Sequence, residues 1–144
     1  MRPRAVALGV VIRDGCVLAE EQSGTHSKGT GTYYRPIGGT IEFGERSADT
    51  VVREFREEIG AETAIHRYLT CLENIFSIDG QAGHELVQVY EVRLLDERLY
   101  AKESFSVVEG DRVTIAKWIR IEEFCSGTLV LYPDRLPEIL AHMR

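Results

Sequence analysis

The sequence has no long hydrophobic run. The apolar run near the N-terminus, residues 5–12, breaks at residues 13–15, well short of the roughly 20 apolar residues of a membrane span. No small-residue cleavage site follows the run, so it predicts a buried strand and not a signal peptide. We therefore expect no membrane partner.

Cysteine is scarce and unpaired in its spacing. The three cysteines, Cys16, Cys71 and Cys125, are an odd number, lie far apart and form no C-x-x-C pair. This pattern predicts reduced thiols and a cytoplasmic location, and it disfavours both a disulfide framework and a zinc site.

An excess of basic residues is also missing. The net charge of −6 argues against an extended nucleic-acid surface, which needs basic patches. It does not exclude a single nucleotide, because bound cations can neutralise a local acidic site. With 144 residues, 44% of them apolar and 28% charged, the chain is predicted to form one globular domain over residues 1–144.

Hydrophobic patterning predicts several strands, one strong central helix and a closing helix. Strands are expected in residues 5–12, 16–20, 33–37, 62–78, 84–94 and 112–121, with a turn at 79–83 and loop over 96–111. Helical segments are expected in residues 48–59, 122–125 and 133–143. This order favours a mixed sheet covered by helices, an α/β fold.

Residues 22–32 contain no large apolar side chain and predict an exposed, mobile loop. The segment contains Lys-Gly but lacks the spacing of a phosphate-binding P-loop. His26 and Lys28 could reach a phosphate from it, although the composition favours a plain flexible loop.

The central helix carries its acids on one flank. Ser47 is the predicted N-cap and Gly60 the predicted end. With about 100° per residue, an apolar stripe forms around Ala48, and Glu54, Glu57 and Glu58 share one side of it. Arg53 stands four residues before Glu57 and can hold it in place.

Two interpretations of this flank remain open on these residues alone. Glu54 and Glu58 are a like-charged i,i+4 pair, which disfavours an isolated helix. Hard cations such as Mg²⁺ and Mn²⁺ prefer carboxylate oxygens and would benefit from the cluster. Acidic surface clusters are nevertheless common on exposed helices.

The residues before the helix match a longer pattern. Residues 39–61 resemble the Nudix box, G-x5-E-x7-R-E-U-x-E-E-x-G-U, in which U is a bulky apolar residue. Every fixed position matches: Gly39, Glu45, Arg53, Glu54, Glu57, Glu58 and Gly60. The last position, Ala61, is small instead of bulky. Some members carry an acid just before a late Trp, where this chain has Lys117, and Glu103 or Glu109 is a candidate substitute.

The resemblance implies an α/β/α sandwich and a hydrolase that cleaves the pyrophosphate of a nucleoside diphosphate linked to another moiety. It implies Mg²⁺ or Mn²⁺ as cofactor, held by Glu54, Glu57, Glu58 and the Gly38 carbonyl. Glu54 is then the first choice to orient or deprotonate water, and Arg53 orients the carboxylates. A catalytically silent nucleotide-binding module is the alternative function.

Substrate contacts are expected from outside the box. Arg35, Tyr34, His84 and Lys28 are the candidate substrate-binding residues. Because Tyr33 and Tyr34 point to opposite faces of a strand, at most one of them can stack on a base, and core or edge packing is the favoured role for either. The sequence leaves the substrate, the number of metal ions and the oligomeric state open, a homodimer included.

Overall fold

The structure of the chain is a computed structural model that describes residues 1–143. The strands and helices among these residues are β1 (Arg4–Val10), β2 (Ile12–Arg13), β3 (Cys16–His26), β4 (Gly29–Arg35), β5 (Ile37–Thr40), α1 (Ser47–Ile59), β6 (Thr63–Ile78), β7 (Gln81–Leu94), a 3₁₀ helix (Glu97–Ala101), β8 (Ser104–Glu109), β9 (Arg112–Arg120), α2 (Ile121–Cys125) and α3 (Leu136–Leu140).

The strands form two sheets, so the predicted mixed α/β architecture is confirmed. The first sheet has the order β5-β1-β7-β6, with β1 and β7 parallel and the other pairs antiparallel. In the second sheet β2, β3, β9 and β8 lie side by side, and β4 pairs with β3. Strand β1 is buried on both faces, which explains its continuous apolar run.

Two cores lie on opposite faces of β1. Val6, Leu8 and Val10 pack in the core that includes α2 and α3. Ala7 and Val11 pack in the core that includes Val51 and Phe55 of α1. Helices therefore cover the strands from two sides, as expected of an α/β/α sandwich.

Helix α1 approaches β1 closely and turns its acidic flank inward. A methyl group on Gly9 would lie 2.6 Å from Phe55 Cε1 and 2.7 Å from Val51 Cγ1, so only glycine fits there. The buried side chains of α1 are Thr50, Val51, Phe55 and Glu58. The predicted stripe around Ala48 is therefore displaced toward the acids, and the prediction that Glu58 lies off the buried face was wrong.

The sequence predicted the C-terminal end of α1 correctly but not its N-cap. Gly60 adopts a left-handed conformation, φ 66°, its N–H donates to the Arg56 carbonyl and the Ala61 N–H donates to the Phe55 carbonyl, which confirms the predicted end. The N-cap position is Arg46, not Ser47 as predicted. The Ser47 hydroxyl instead contacts the hydroxyl of Tyr90 across the helix–sheet interface.

Two predicted loops are regular structure. Residues 22–32 belong to the β3–β4 hairpin, whose ladder continues to the pair His26 and Gly29. From Gln22 onward, the outer part of the hairpin, β3 pairs only with β4. Backbone hydrogen bonds therefore stabilise this part, and no apolar face is needed. In residues 96–111, Phe105 and Val107 alternate as the buried side of β8, a two-residue period that the loop prediction missed.

The long β6–β7 hairpin turns at Asp79-Gly80 alone. The predicted turn over residues 79–83 was therefore too long, and His84 lies within β7, opposite Ile75. Within residues 1–143 no helix has both the length and the apolar character to cross a membrane. All three cysteines are free thiols.

Candidate active site

A cavity of about 530 Å³, termed here the acidic cavity, opens between α1, β5 and the β8–β9 turn. Its walls combine the acids of α1 with the glycine pair of β5. The lining residues are Arg4, Arg35, Gly38, Gly39, Thr40, Glu42, Glu54, Glu57, Glu58, Val108, Glu109 and Gly110. The structure thus brings together all the residues that the box predicted for a metal site.

Glu58 is the most unusual group of this cavity. Its side chain is only 3% exposed, and neither carboxylate oxygen has a hydrogen-bond partner. Burial, followed by the neighbouring carboxylates of Glu109, Glu54 and Glu20, raises the pKa of Glu58 to about 9. An unpaired buried charge is costly, so this site favours either a proton or a cation beside Glu58.

Glu54 lies directly against the backbone of β5. A methyl group on Gly39 would stand 2.5 Å from Glu54 Oε1, so this carboxylate occupies the space that glycine leaves. One residue earlier, a methyl group on Gly38 would overlap the Ala7 carbonyl oxygen, so that position also requires glycine. Burial raises the pKa of Glu54, while the charge of Arg53 opposes the rise.

Arg53 gathers the carboxylates around one guanidinium group. It donates to both oxygens of Glu45, at 2.8 and 3.0 Å, to Glu54 at 3.0 Å and to Glu57 at 3.2 Å. Its fifth hydrogen bond, at 3.3 Å, reaches the Thr40 carbonyl. The predicted contact with Glu57 is therefore present, but Glu45 is the main partner.

Glu45 orients Arg53 from the loop before the helix. The side chain accepts from Thr50 Oγ1 at 2.6 Å in addition to the guanidinium. The hydrogen bonds from Arg53, then from Thr50, lower the pKa of Glu45 to about 2. In the sequence Glu45 is a loop acid just before the helix, and a role in helix-start electrostatics accounts for it about as well as a role in the site. Its fixed distance from Arg53 was the available signal for the contact.

The residues of the acidic cavity fit a divalent cation in three respects. The donor set is carboxylate oxygen, Glu58 offers two buried oxygens without partners, and Gly39 leaves room for Glu54. Within the described residues 1–143, no three acidic, His or Cys side chains already converge at ligand distances. Arg53 accounts for part of this spacing, because it binds Glu54 and Glu57.

The β8–β9 turn supplies a further acid. Glu109 lines the acidic cavity, whereas Glu103, the other sequence candidate, is not among the residues that line it. Lys117, where some relatives carry an acid, pairs with Glu21 at 3.0 Å on the surface of the second sheet. The structure therefore places Glu109, and not Glu103, beside the box glutamates.

A second cavity of about 170 Å³, termed here the aromatic cleft, adjoins the acidic cavity. It lies between the β3–β4 and β6–β7 hairpins. Its lining residues are Arg4, Val6, Leu8, Gln22, His26, Ser27, Tyr33, Arg35, Asn74, Phe76, Ile78, Glu85, Val87, Tyr132 and Pro133. Three rings, those of His26, Tyr33 and Tyr132, form one wall, with centroids 4.9 to 5.6 Å apart.

Arg35 and Arg4 are the two residues that line both cavities. Arg35 Nε lies 3.8 Å from Glu20 Oε1, and neither atom has a hydrogen-bond partner. Thr114 Oγ1 donates to the other Glu20 oxygen at 2.6 Å and so fixes this buried carboxylate. Arg35 is thus held at the junction by its long ion pair with the buried Glu20 carboxylate.

Three of the predicted substrate contacts lie elsewhere. Tyr34 is buried in the core, 5% exposed, and donates to Glu21 at 2.9 Å; burial, then this bond, raises its pKa to about 12. Lys28 pairs with Asp134 at 3.2 Å, and His84 is exposed on β7. None of the three lines either cavity, whereas the neighbouring Tyr33 lines the aromatic cleft.

Comparisons with known proteins relate this geometry to a family. A family model described as NUDIX domain matches residues 1–142. The structure is similar to a MutT NUDIX hydrolase from Burkholderia pseudomallei, at 23% identity over 85% of this chain and 86% of that chain, with a TM-score of 0.59. It is also similar to the E. coli ORF135 protein, at 22% identity over 99% and 90% of the two chains, with a TM-score of 0.64.

A third similar structure is an ADP-ribose pyrophosphatase from Streptococcus suis, at 16% identity over 97% of this chain and 88% of that chain, with a TM-score of 0.61. No curated protein matches the chain in sequence. At these identities the solved structures establish the fold, while the family model covers nearly the whole chain.

Proposed function

Because the chain belongs to the Nudix hydrolase family, a family of pyrophosphohydrolase enzymes, we propose that it cleaves the pyrophosphate bond of a nucleoside diphosphate linked to another moiety, with Mg²⁺ or Mn²⁺. The observation that carries this proposal is the Glu58 carboxylate, buried beside Glu54 and Glu57 with neither oxygen partnered. A merely structural helix gains nothing from such a group.

The metal-holding residues are Glu54, Glu57, Glu58 and the Gly38 carbonyl. A divalent ion bound there supplies charge neutralisation for the pyrophosphate and an acidified water. The family generally uses divalent metals, which is consistent with this carboxylate donor set.

The chain's own groups position the reactants. Arg53 holds Glu54 and Glu57 in place, and Glu45 holds Arg53 in turn. Glu54 is the group proposed to orient the attacking water or to take its proton, because it faces Gly39 in the cavity. Glu109 is the second candidate for this role, since it lines the same cavity from the β8–β9 turn.

Arg35 is the proposed contact for the phosphate chain. Its position at the junction of the two cavities and its positive charge suit an anionic group. The family acts on small nucleotide-type substrates. The names of similar structures, an ADP-ribose pyrophosphatase and a UDP-X diphosphatase, support a nucleoside diphosphate derivative as the substrate. A nucleoside triphosphate is the other substrate that we include in the proposal.

The test is turnover by the purified chain on a panel of nucleoside triphosphates, nucleoside diphosphate sugars and dinucleotides, with Mg²⁺, Mn²⁺ or EDTA. We expect phosphate or nucleoside monophosphate release with at least one substrate, dependent on the metal. Glu58→Gln should remove it, and Glu97→Gln, a surface control on the 3₁₀ helix, should not. If no panel member is cleaved with either metal, the proposal fails.

A further inference from the structure

The aromatic cleft is formed where two hairpins extend beyond their sheets. Strand β3 pairs with β9 only as far as Glu21, and from Gln22 onward it pairs with β4 alone. Strand β7 pairs with β1 only from Glu85, so the hairpin end before it pairs with β6 alone. The cleft lies between these two hairpin ends and is walled by strands on both sides.

One wall of the cleft is aromatic and fixed in place. The Tyr132 hydroxyl lies 2.8 Å from His26 Nδ1, accepts from Ser27 Oγ at 2.8 Å and accepts from the Lys28 N–H at 3.1 Å. These contacts tie the C-terminal segment to the tip of the β3–β4 hairpin. The wall is therefore ordered before any ligand arrives, which lowers the entropic cost of binding.

The size and polarity of the cleft suit one base. Its volume of about 170 Å³ is below the roughly 300–1,000 Å³ of a site for a whole drug-sized ligand. The rings of Tyr33 and Phe76 line the cleft as stacking partners for a base. Gln22 Oε1 accepts from Arg112 and Asn74 Nδ2 donates to Glu85, so Gln22 Nε2 is left as a donor and Asn74 Oδ1 as an acceptor for a base edge.

The cleft leads directly to the proposed reaction site. Arg35 and Arg4 belong to the walls of both cavities, so a phosphate chain attached to a base in the cleft passes between two guanidinium groups. Arg4 is paired with Glu85 at 2.9 Å, whereas Arg35 Nε has no acceptor. Because Arg35 Nε is itself buried, a phosphate would meet Arg35 through the terminal nitrogens of its guanidinium group.

The acidic cavity offers nothing comparable for a second base. Its lining among the described residues contains no aromatic side chain, and its acids repel a further anionic group. Two aromatic residues are next in sequence to lining residues, but neither lines the cavity: Phe43 is fully exposed and Phe55 is buried in the core. The far end of a substrate therefore meets only Val108 as an apolar surface.

From these contacts we propose that the chain selects substrates with a single base. The base stacks in the aromatic cleft against Tyr33 and Phe76, the phosphates pass Arg35, and the leaving group carries no second base. The inference rests on the proposed function for the reaction, but base binding in the cleft is measurable without it.

The first experiment measures binding without turnover. Calorimetry in EDTA titrates the protein with AMP, GMP, CMP and UMP, and with ribose 5-phosphate as the base-free control. At least one monophosphate should bind about tenfold tighter than the control, the scale of one base–aromatic stack. Tyr33→Ala should remove this advantage and Tyr33→Phe should keep it. Equal affinity for all ligands, or no effect of Tyr33→Ala, overturns the inference.

Circular dichroism checks that Tyr33→Ala is folded. If it is not, NMR of the wild-type chain with the tightest monophosphate replaces it. Ring-proton shifts at His26, Tyr33 and Tyr132 support the cleft, and shifts confined to the residues of the acidic cavity contradict it.

The second experiment compares turnover of a nucleoside triphosphate with that of the corresponding dinucleoside tetraphosphate. We expect kcat/KM at least about tenfold higher for the single-base substrate, because the dinucleotide brings one more phosphate and a second nucleoside to a cavity whose acids repel anions and whose lining has no aromatic ring. Phe43→Ala should leave the ratio unchanged, and a ratio of one or less contradicts the inference. Failure of every substrate would instead reject the proposed hydrolase, while monophosphate binding by wild type and Glu58→Gln would still test the cleft.

Discussion

The acidic cavity and the aromatic cleft differ in how completely neighbouring groups satisfy their polar atoms. Both oxygens of Glu58 are buried without partners, whereas the Tyr132 hydroxyl contacts three groups. The acidic cavity therefore has negative charge without a partner and suits an added cation. In the aromatic cleft the hydrogen bonds of Tyr132 are already formed. The difference suggests where chemistry and recognition separate, because unsatisfied charge serves a reaction and a preformed wall serves binding.

The largest effect that separates the acidic cavity from the aromatic cleft is expected from one added methyl group in the acidic cavity. Gly39→Ala places a methyl 2.5 Å from Glu54 Oε1 and forces that carboxylate to move. We expect turnover to fall more than about 100-fold, the scale of a misplacement of about 1 Å in an active site. Monophosphate binding in the aromatic cleft should be unchanged.

Gly9→Ala is the matched control, because it adds the same methyl group on β1. There the new atom meets Phe55 and Val51 in the core, so we expect a stability loss of about 1–3 kcal/mol by overpacking. Because Phe55 and Val51 belong to α1, some turnover is lost as well, but less than in Gly39→Ala, whose methyl meets Glu54 itself. Equal losses of turnover in the two variants would show that Gly39 has no special place.

The next largest effect concerns the guanidinium that gathers the acids. Arg53→Lys keeps the charge but cannot reproduce five hydrogen bonds to Glu45, Glu54, Glu57 and Thr40. We expect activity to fall about 10–100-fold, as for other groups that orient metal ligands. Arg56→Lys, which alters a surface pair with Glu62 on the same helix, should behave as wild type in steady-state assays.

A third prediction concerns stability against pH in the metal-free chain. The folded chain raises the pKa of Glu58 to about 9, so it keeps a proton that the unfolded chain has already lost. Stability is therefore full at acidic pH and falls as pH rises from about 4.5 toward 9. Glu45, whose pKa is lowered, acts in the opposite direction and only below about pH 4.5.

Thermal melts in EDTA at about pH 6 and about pH 9 measure this loss. We expect Tm to fall by several degrees, at about 2–4 °C for each kcal/mol in a chain of this size. Glu58→Gln should flatten the dependence, and Mg²⁺ should reduce it in wild type. A wild-type profile identical to that of Glu58→Gln would show that the buried charge has no cost.

The smallest effect is expected in the aromatic cleft. Tyr132→Phe keeps the ring but removes the hydroxyl that ties it to His26, Ser27 and Lys28. KM should rise about fivefold with kcat unchanged, the scale of one net hydrogen bond. Tyr68→Phe removes an exposed hydroxyl bonded to Gln88 and should leave KM as it is. A change in kcat alone would place Tyr132 with the acidic cavity.

The acidic cavity could be predicted from sequence because its main parts follow one another along the chain. Gly39, Glu45 and the glutamates of α1 stand at fixed distances, and helical periodicity places the acids on one flank. The burial of Glu58 was not predicted, because helical periodicity assigns the buried face of a helix to its apolar residues. Here the cavity under Gly38 and Gly39 accepts the acidic flank instead.

The aromatic cleft could not be predicted in the same way. Its residues come from β1, the two hairpins and the segment around Tyr132, which are far apart in sequence. The β3–β4 hairpin has no apolar alternation, since backbone pairing alone forms its outer part. Side chains alternate between the two faces of β4, so only one of Tyr33 and Tyr34 could stack on a base. Which of them could do so depended on which face of β4 packs against the core.

Pro36 stands between β4, in the second sheet, and β5, in the first. Tyr33 and Gly39 lie on either side of it, so the six-residue path from one cavity to the other spans at most about 20 Å. The length of this segment limits the distance between a base bound in the aromatic cleft and the bond that is cleaved. An insertion beside Pro36 would increase this distance, and the enzyme would then fit a longer phosphate chain, although no residue in either cavity had changed.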